Sequence, residues 1–282
     1  MQKYTEPCIN TSSFARLCNT NKRTLIHYDE IGLFKPAFTD ERGYRYYSET
    51  QCDLFFTITC LKDLGMPLKE IKQYVTDKNP SDLTALLLDQ QTKVEKELQH
   101  LKRIEQVINN KLNLVSEGMT IQFDTDGCSE PFTADFPEET YLTTPFLGTS
   151  EHEELFSALC EHIREVNHHF LNIGHAYGAM MQVEDLESNA FDRYAYFMTK
   201  IAADSAVNFS THQKAAGTYA VLYLRGDYYE ADLAFKKLLD YIRQNSLIPG
   251  KYCYKEAIWD ELTVEKKEAY ITRISIPIKF EG

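Results

Sequence analysis

Two groups of residues in this 282-residue chain are equipped for chemistry. The first is a carboxylate set among rings. Glu256 sits in the segment YCYKEAIWD (252–260), whose β-branched and aromatic content is that of a strand. A carboxylate inside an apolar strand is costly unless paired, so a cation is its natural partner. Aromatic faces add cation–π attraction of about 0.5–2 kcal/mol each. Candidate walls for such a site are Phe156, Tyr177, Tyr194, Tyr196, Tyr254, Trp259 and Tyr270. Strand alternation puts Tyr254 on the face of Glu256 and Trp259 on the opposite one, unless a bulge intervenes. The alternatives are ordinary core packing for each ring, and for Glu256 a salt bridge at the surface or in a dimer.

The second group is basic. Lys22, Arg23 and Thr24 lie at the start of a short amphipathic stretch, and Arg42, Tyr44, Arg45 and Tyr46 follow a polar loop. Arg16, Tyr28 and Lys35 extend the set. These side chains supply the positive charge and hydrogen-bond donors that a phosphate backbone accepts. Any one of them alone reads as a solvated surface charge. The seven cysteines (Cys8, Cys18, Cys52, Cys60, Cys128, Cys160 and Cys253) are scattered and include no CxxC. They read as reduced thiols of a cytoplasmic protein, with no close pair for redox sensing. No metal or cofactor is expected, because a metal site needs several ligands in defined geometry. Glu256 with a tyrosine could act as an acid–base pair, but no nucleophile motif such as GxSxG accompanies it.

The elements that must position these residues fall in three zones. In the first, Ser12-Ser13 can cap a helix Phe14–Cys18, Asn19–Asn21 make a turn, and a second helix runs from Lys22 to about Tyr28. Two short helices joined by so short a turn form a helix-turn-helix. Arg42–Tyr47 reads as a hairpin, or wing, and helices 53–64 and from Lys69 complete the module. In the second zone, residues 80–116 contain no Gly and only Pro80, with Ser81 or Asp82 as N-cap and Glu117-Gly118 as the stop. Leu87, Val94, Leu101, Ile108 and Val115 recur every seven residues. A narrow apolar stripe on a helix of about 50 Å calls for a partner helix in a coiled coil, the alternative being a long helix that lies on its own domain.

The third zone, 118–282, contains strand-like segments at 119–124, 139–144, 176–183, 194–201, 217–224, 252–260 and 269–278, interrupted by amphipathic helices 150–170 and 228–245. After the first strand the order is βαββ twice, a duplication of topology. Two such units side by side would leave a ligand cleft between two sheets.

The N-terminal pattern resembles the MerR family of transcription regulators. Phe14-Ala15, Thr24-Leu25, Tyr28–Leu33, Lys35-Pro36, Gly43–Tyr47, Leu61, Leu64-Gly65, Leu68 and Glu70-Ile71 carry the resemblance over residues 10–76. Ile26 stands where that family usually has Arg, which bears on operator preference. The third zone resembles the GyrI-like effector-binding domain of multidrug-sensing MerR regulators, through Ala176–Ala179, Gly217–Ala220 and Tyr254–Ile258. The resemblance implies a homodimer joined through 80–116, binding double-stranded promoter DNA and distorting it for RNA polymerase when an effector binds. It also implies Glu256 as the acidic residue that receives a cationic ligand among rings.

The expected fold class is therefore α+β: a winged helix-turn-helix domain (1–77), a long coiled-coil dimerisation helix (80–116) and a C-terminal duplicated βαββ domain (118–282). Net charge is −12, yet residues 1–79 carry 11 Lys and Arg against 10 Asp and Glu, while 118–282 carry 14 against 26. Phosphate contacts act locally, so the acidic half does not oppose DNA binding; it suits a cationic ligand. No run of 18 apolar residues suggests a membrane span, and the N-terminus lacks a secretory h-region. The function expected is ligand-responsive transcription regulation, with a lipophilic or cationic organic compound as effector. The alternatives are a C-terminal domain that binds a protein partner, or one with small-molecule hydrolase activity.

Overall fold

The structure is a computed structural model that describes residues 7–146, 152–203 and 210–280. The expected helix start at 150 and the first six residues lie outside this range. Contacts divide the chain into two units, 1–100 and 101–282, with the division falling inside a long helix.

In the first unit, β1 (Cys8–Asn10) leads into α1 (Thr11–Leu17) and α2 (Lys22–Glu30). Both helices are capped by asparagine: Asn10 Oδ1 accepts the Ser13 N–H at 3.0 Å, and Asn21 Oδ1 accepts the Thr24 N–H at 2.8 Å. Asn10, rather than Ser12 or Ser13, is thus the first cap, and the helix starts earlier than expected. The wing is β2 (Phe38–Thr39) and β3 (Arg45–Ser48), which form a three-stranded sheet with β1 in the order β1-β3-β2. Its turn closes around Asp40, whose carboxylate accepts the N–H groups of Arg42 and Tyr44; Gly43 supplies the left-handed residue at φ +82°. α3 (Gln51–Asp63) and α4 (Leu68–Thr76) complete the unit around stacked Phe14, Phe34 and Tyr47, with Phe55 edge-on to Phe34. The structure also brings Cys18 and Cys52 Sγ to 3.8 Å, a close thiol pair that their separation of 34 residues concealed.

The long helix, α5, spans Pro80–Thr120. Its cap is Asn79, rather than Ser81 or Asp82, which lie inside the helix: Asn79 accepts the Asp82 N–H at 2.8 Å and leaves Pro80 at the first helical position. The heptad residues Leu87, Val94, Leu101 and Ile108 are exposed along it. The helix does not stop at Gly118. A Cβ there would collide with the indole of Trp259, whose Nε1 donates to the Val115 carbonyl at 3.3 Å. The glycine is a point of close approach, not a terminator. Residues 121–124 are not a strand; Ile121 and Phe123 satisfy their alternation by packing with Leu114, Ile258 and Ile271, without ladder partners.

The rest of the second unit is one antiparallel sheet with helices. In chain order its elements are β4 (Phe132–Phe136), β5 (Glu139–Pro145), α6 (His152–His168), β6 (Gly178–Gln182), α7 (Val183–Glu187) and β7 (Tyr196–Ile201). They continue as β8 (Thr211–Lys214), β9 (Gly217–Arg225), α8 (Asp232–Gln244), β10 (Leu247–Pro249), β11 (Tyr252–Trp259) and β12 (Ile271–Phe280). The sheet order is β4-β9-β12-β11-β6-β7-β5-β8, with β10 on β12. The expected duplication is visible in it. The units β5-α6-β6-β7 and β9-α8-β11-β12 each place the first strand outermost, the third in the middle and the second at the centre. The two halves do not form separate sheets, however. They fuse where β6 and β11 pair, from Gln182↔Tyr252 to Ala179↔Lys255, which leaves neither central edge unpaired. Leu159, Met181, Phe235, Leu238 and Ile274 form the core on the helix side. Tyr141, Met180, Tyr219 and Tyr254 form a second core on the other face. The strands β4, β8 and β10 and the short α7 had no periodicity long enough to announce them.

Gly118→Ala tests the close approach. In an unconstrained helix interior the change would stabilise by about 1 kcal/mol. Here the methyl group meets Trp259, and overpacking of this kind costs about 1–3 kcal/mol. The variant is expected to melt below the native protein by calorimetry.

Candidate functional site

Three of the basic candidates, Arg16, Lys22 and Arg45, gather on one groove of the first unit. A concave surface of about 600 Å³ is lined by Asn10, Ser13, Arg16, Lys22, Ile26, Tyr44, Arg45 and Tyr46, among others. α1 supplies Arg16, the start of α2 supplies Lys22, and the wing supplies Tyr44, which is 63% exposed. Arg23, Lys35 and Arg42 are exposed outside that lining. Arg45 is already engaged: its Nε meets Asp29 Oδ2 at 2.7 Å and so pins the wing to α2. Tyr46 stacks on Phe38 with ring centres 4.8 Å apart. The Thr24 hydroxyl donates to Asn21 Oδ1, the cap of its own helix, at 3.2 Å. Tyr28 is buried against Phe55, and its place is in the core, because its position on α2 shares the inner face with Leu25.

In the second unit the candidate ring residues separate into different environments. Phe156, Tyr177, Trp259 and Tyr270 come together in a cleft of about 310 Å³. It opens where β6 and β11 part company beyond the Ala179↔Lys255 pair. Its other walls are Tyr228 and Tyr229 from the β9–α8 turn, with the carboxylates Asp227, Asp260 and Glu261 and the ammonium of Lys267. Asp260 pairs with Lys111 of α5 at 3.0 Å, and Lys267 lies 3.7 Å from Asp227. Glu261 has no ion-pair partner among the described residues.

Glu256 faces away from this cleft. On the opposite side of the sheet its Oε1 accepts the Tyr141 hydroxyl at 2.6 Å, and its Oε2 lies 3.1 Å from Lys214 Nζ and 3.2 Å from the Arg273 guanidinium. Burial alone would raise its pKa; Arg273, Lys214 and the Tyr141 hydrogen bond overcome that and hold it well below the ordinary carboxylate range. The cation that its setting demanded is therefore present in the fold. Lys214 is fully buried, 4.6 Å from the centre of the Phe136 ring and 5.1 Å from those of Tyr219 and Tyr254. It also pairs with Glu139, which Lys200 joins at 2.6 Å, and Arg273 reaches Glu117 of α5 at 3.0 Å. Three carboxylates thus meet three cations. Tyr254 belongs to this cluster, with its hydroxyl at 2.7 Å from His212. Tyr196 packs edge-on to Tyr252, and Tyr194 is buried in the helix-side core. The register of β11 shifts between Ala257 and Trp259, yet both line the cleft.

Residues 9–78 match the MerR HTH family of regulatory proteins. Over almost the whole length, the chain is 32% identical across 269 residues to the Multidrug-efflux transporter 2 regulator of Bacillus subtilis, covering 95% of this chain and 96% of that one. The chain belongs to the MerR family. A second relative, the Multidrug-efflux transporter 1 regulator of the same organism, is 27% identical over 273 residues, covering 94% of this chain and 95% of the relative. The HTH-type transcriptional activator mta, also from that organism, is 33% identical over 107 residues, or 38% of this chain and 41% of that one. This MerR protein is a DNA-binding transcription regulator, and the groove between α1, α2 and the wing lies within the matched segment. No group of three or more His, Cys, Asp or Glu is placed to hold a metal among the described residues, and no described helix is long and apolar enough to cross a membrane.

Sequence reasoning missed Asp227, Tyr228, Asp260 and Glu261 as cleft walls. Asp260 and Glu261 directly follow Trp259, and Asp227-Tyr228-Tyr229 repeats the same pairing of acid with ring. That juxtaposition was the available signal. Lys214 and Arg273 carried none, because only the strand register brings them to Glu256.

In this MerR protein, Arg16→Ala and Lys22→Ala are each expected to weaken operator binding and to lower the slope of log affinity against log salt by about 1. Arg45→Ala should instead lower thermal stability, since it releases the wing. Binding titrations at several salt concentrations, with melting curves, separate the two behaviours. Glu256→Gln is expected to cost about 3–5 kcal/mol at pH 7, because Lys214 and Arg273 lose a buried partner. A carboxylate whose folded pKa is depressed stabilises the fold above its unfolded pKa and stops doing so as pH falls through the folded value. Native stability should therefore fall below about pH 5, and the Gln variant should show a flatter acid limb in urea titrations.

Proposed function

We propose that this regulator switches transcription in response to a lipophilic organic cation held in the cleft at the end of β11. The observation that carries the reading is the cleft's composition: six rings with three carboxylates, in a space of about 310 Å³. Such a site offers dispersion and cation–π attraction to a flat or propeller-shaped cation. Two relatives are named as regulators of multidrug-efflux transporters, and control of an export gene is the matching role here.

In this reading residues 1–77 form the DNA-binding domain, with Arg16, Lys22, Arg23, Lys35, Arg42 and Tyr44 toward double-stranded promoter DNA. Residues 80–116 are the dimerisation helix, whose exposed Leu87, Val94, Leu101 and Ile108 find their cover in a second copy. Residues 118–282 are the GyrI-like effector domain. The dimer works in the cytoplasm, distorting a promoter for RNA polymerase when the effector binds. Trp259 supplies a route, since it lines the cleft and touches α5 at Val115 and Gly118. A ligand drives the change only to the extent that it binds the distorting conformation more tightly. The protein is read as a sensor rather than an enzyme, and turnover of a bound compound by the purified protein would overturn that.

The chain has a single tryptophan, and it is Trp259. Saturable quenching of its emission by tetraphenylphosphonium is therefore expected to report occupancy directly. Glu261→Gln should weaken the cation about 3–10-fold, as the loss of one exposed, otherwise uncompensated charge implies. Footprinting with and without the ligand should show a change at the centre of the operator. Quenching that is absent, or insensitive to Glu261→Gln, Asp227→Asn and Asp260→Asn alike, would remove the cleft as the cation site.

A further inference from the structure

This inference rests on the cleft being the effector site. Lys255 precedes the cleft-lining Ala257 by two residues on β11, so both point to the helix side of the sheet. Its side chain is 1% exposed. Its ammonium nitrogen lies 3.8 Å from the centre of the Tyr228 ring, and 5.8 Å from the rings of both Tyr194 and Phe235. Tyr228 is itself a cleft wall, and its hydroxyl donates to the Lys255 carbonyl at 3.4 Å. The amine is thus separated from the ligand space by one aromatic ring.

Lys255 has no carboxylate at ion-pair distance among the described residues. The ionisable groups around it are Cys253 on its own strand, Asp227, Tyr228 and Tyr229 in the β9–α8 turn, Asp232 at the start of α8, and Tyr194 before β7. Asp227 already has Lys267 at 3.7 Å. Burial pushes the ammonium down to about 7 against the weaker pull of Cys253, Asp227 and Asp232. The charges of the cleft then make the state of Lys255 decisive. Asp227, Asp260 and Glu261 are offset by Lys267 and Lys111, which leaves one carboxylate uncompensated. A protonated Lys255 cancels it; a neutral one does not.

We propose that Lys255 is a specificity-determining residue of the cleft, a tethered competitor whose protonated form excludes organic cations and whose neutral form admits them. Binding of a permanent cation expels a proton from Lys255. A neutral ligand of similar shape binds without that release. The effectors favoured at neutral and alkaline pH are therefore permanently charged lipophilic cations, and acidification shifts preference to uncharged ones.

The experiment uses the full chain and tetraphenylphosphonium, which has no titratable group. Calorimetric titration at pH 7 in two buffers of different ionisation enthalpy counts the protons released. Trp259 quenching gives affinity from pH 6 to 8. Proton release is expected, with affinity rising toward about tenfold per pH unit on the acid side. His175 and His162 are held near 4 by burial and stay neutral throughout this window. Lys255→Met is expected to bind at pH 6 at least as tightly as the native chain at pH 8, with no pH dependence; Lys255→Gln is the second variant should Met disturb the fold. Tight binding without proton release, or a pH slope that survives in a folded Lys255 variant, overturns the role of Lys255 and leaves the cleft reading standing. No binding at any pH overturns both.

Discussion

Arg273 is the pivot of the second unit. Its guanidinium holds Glu256 at 3.2 Å with one nitrogen and Glu117 of α5 at 3.0 Å with another. An arginine suits this post, because its planar fork reaches two carboxylates without leaving either unpaired. Lys214 and Lys200 complete the balance with Glu139. β4 leads to β5, and β8 leads to β9, through links of only two residues, although these strands lie at opposite ends of the sheet order. The sheet must therefore curl, and the contact of Lys214 on β8 with Phe136 on β4 shows that it does. Charges placed inside such a curl have no water to fall back on, so partial pairing would be worse than an apolar interior.

The pleat of β11 assigns different tasks to its two faces. Tyr254 and Glu256 go to the charged interior. Lys255, Ala257 and Trp259 go to the side of the cleft and the helices. One strand therefore serves structural cohesion and the lining of the cleft at alternate positions. A shift of one residue in its register would exchange the two.

Much of this was legible beforehand. The order of helices, turn and wing in the first unit could be read, because turn residues and aromatic core positions act over a few residues, although the caps fall on Asn10 and Asn79, two or three residues before the expected Ser and Asp. The duplicated order of strands and helices was legible for the same reason. What could not be read was pairing across the chain. Glu256 called for a cation, and that requirement was sound; its answer came from Lys214 and Arg273, 42 and 17 residues away. Gly118 looked like a helix stop because local rules cannot see the indole of Trp259 that needs the space. Tyr28 looked like a surface group because its neighbours on α2 are charged, while the helical period turns it inward. The fusion of two expected sheets into one likewise depends on edges that meet only in three dimensions.

The cleft is assembled entirely from one chain, between Phe156 and Thr272. Under the proposed function, a dimer carries two complete sensors for a single twofold stretch of DNA. The sharpness of the genetic response is then a property of the pair. If one filled cleft suffices, output follows an ordinary hyperbola; if both must fill, the dose–response curve steepens toward a Hill coefficient of about 2. Each subunit thus builds its whole cleft by itself, and in that reading the arithmetic of the decision lies in the assembly.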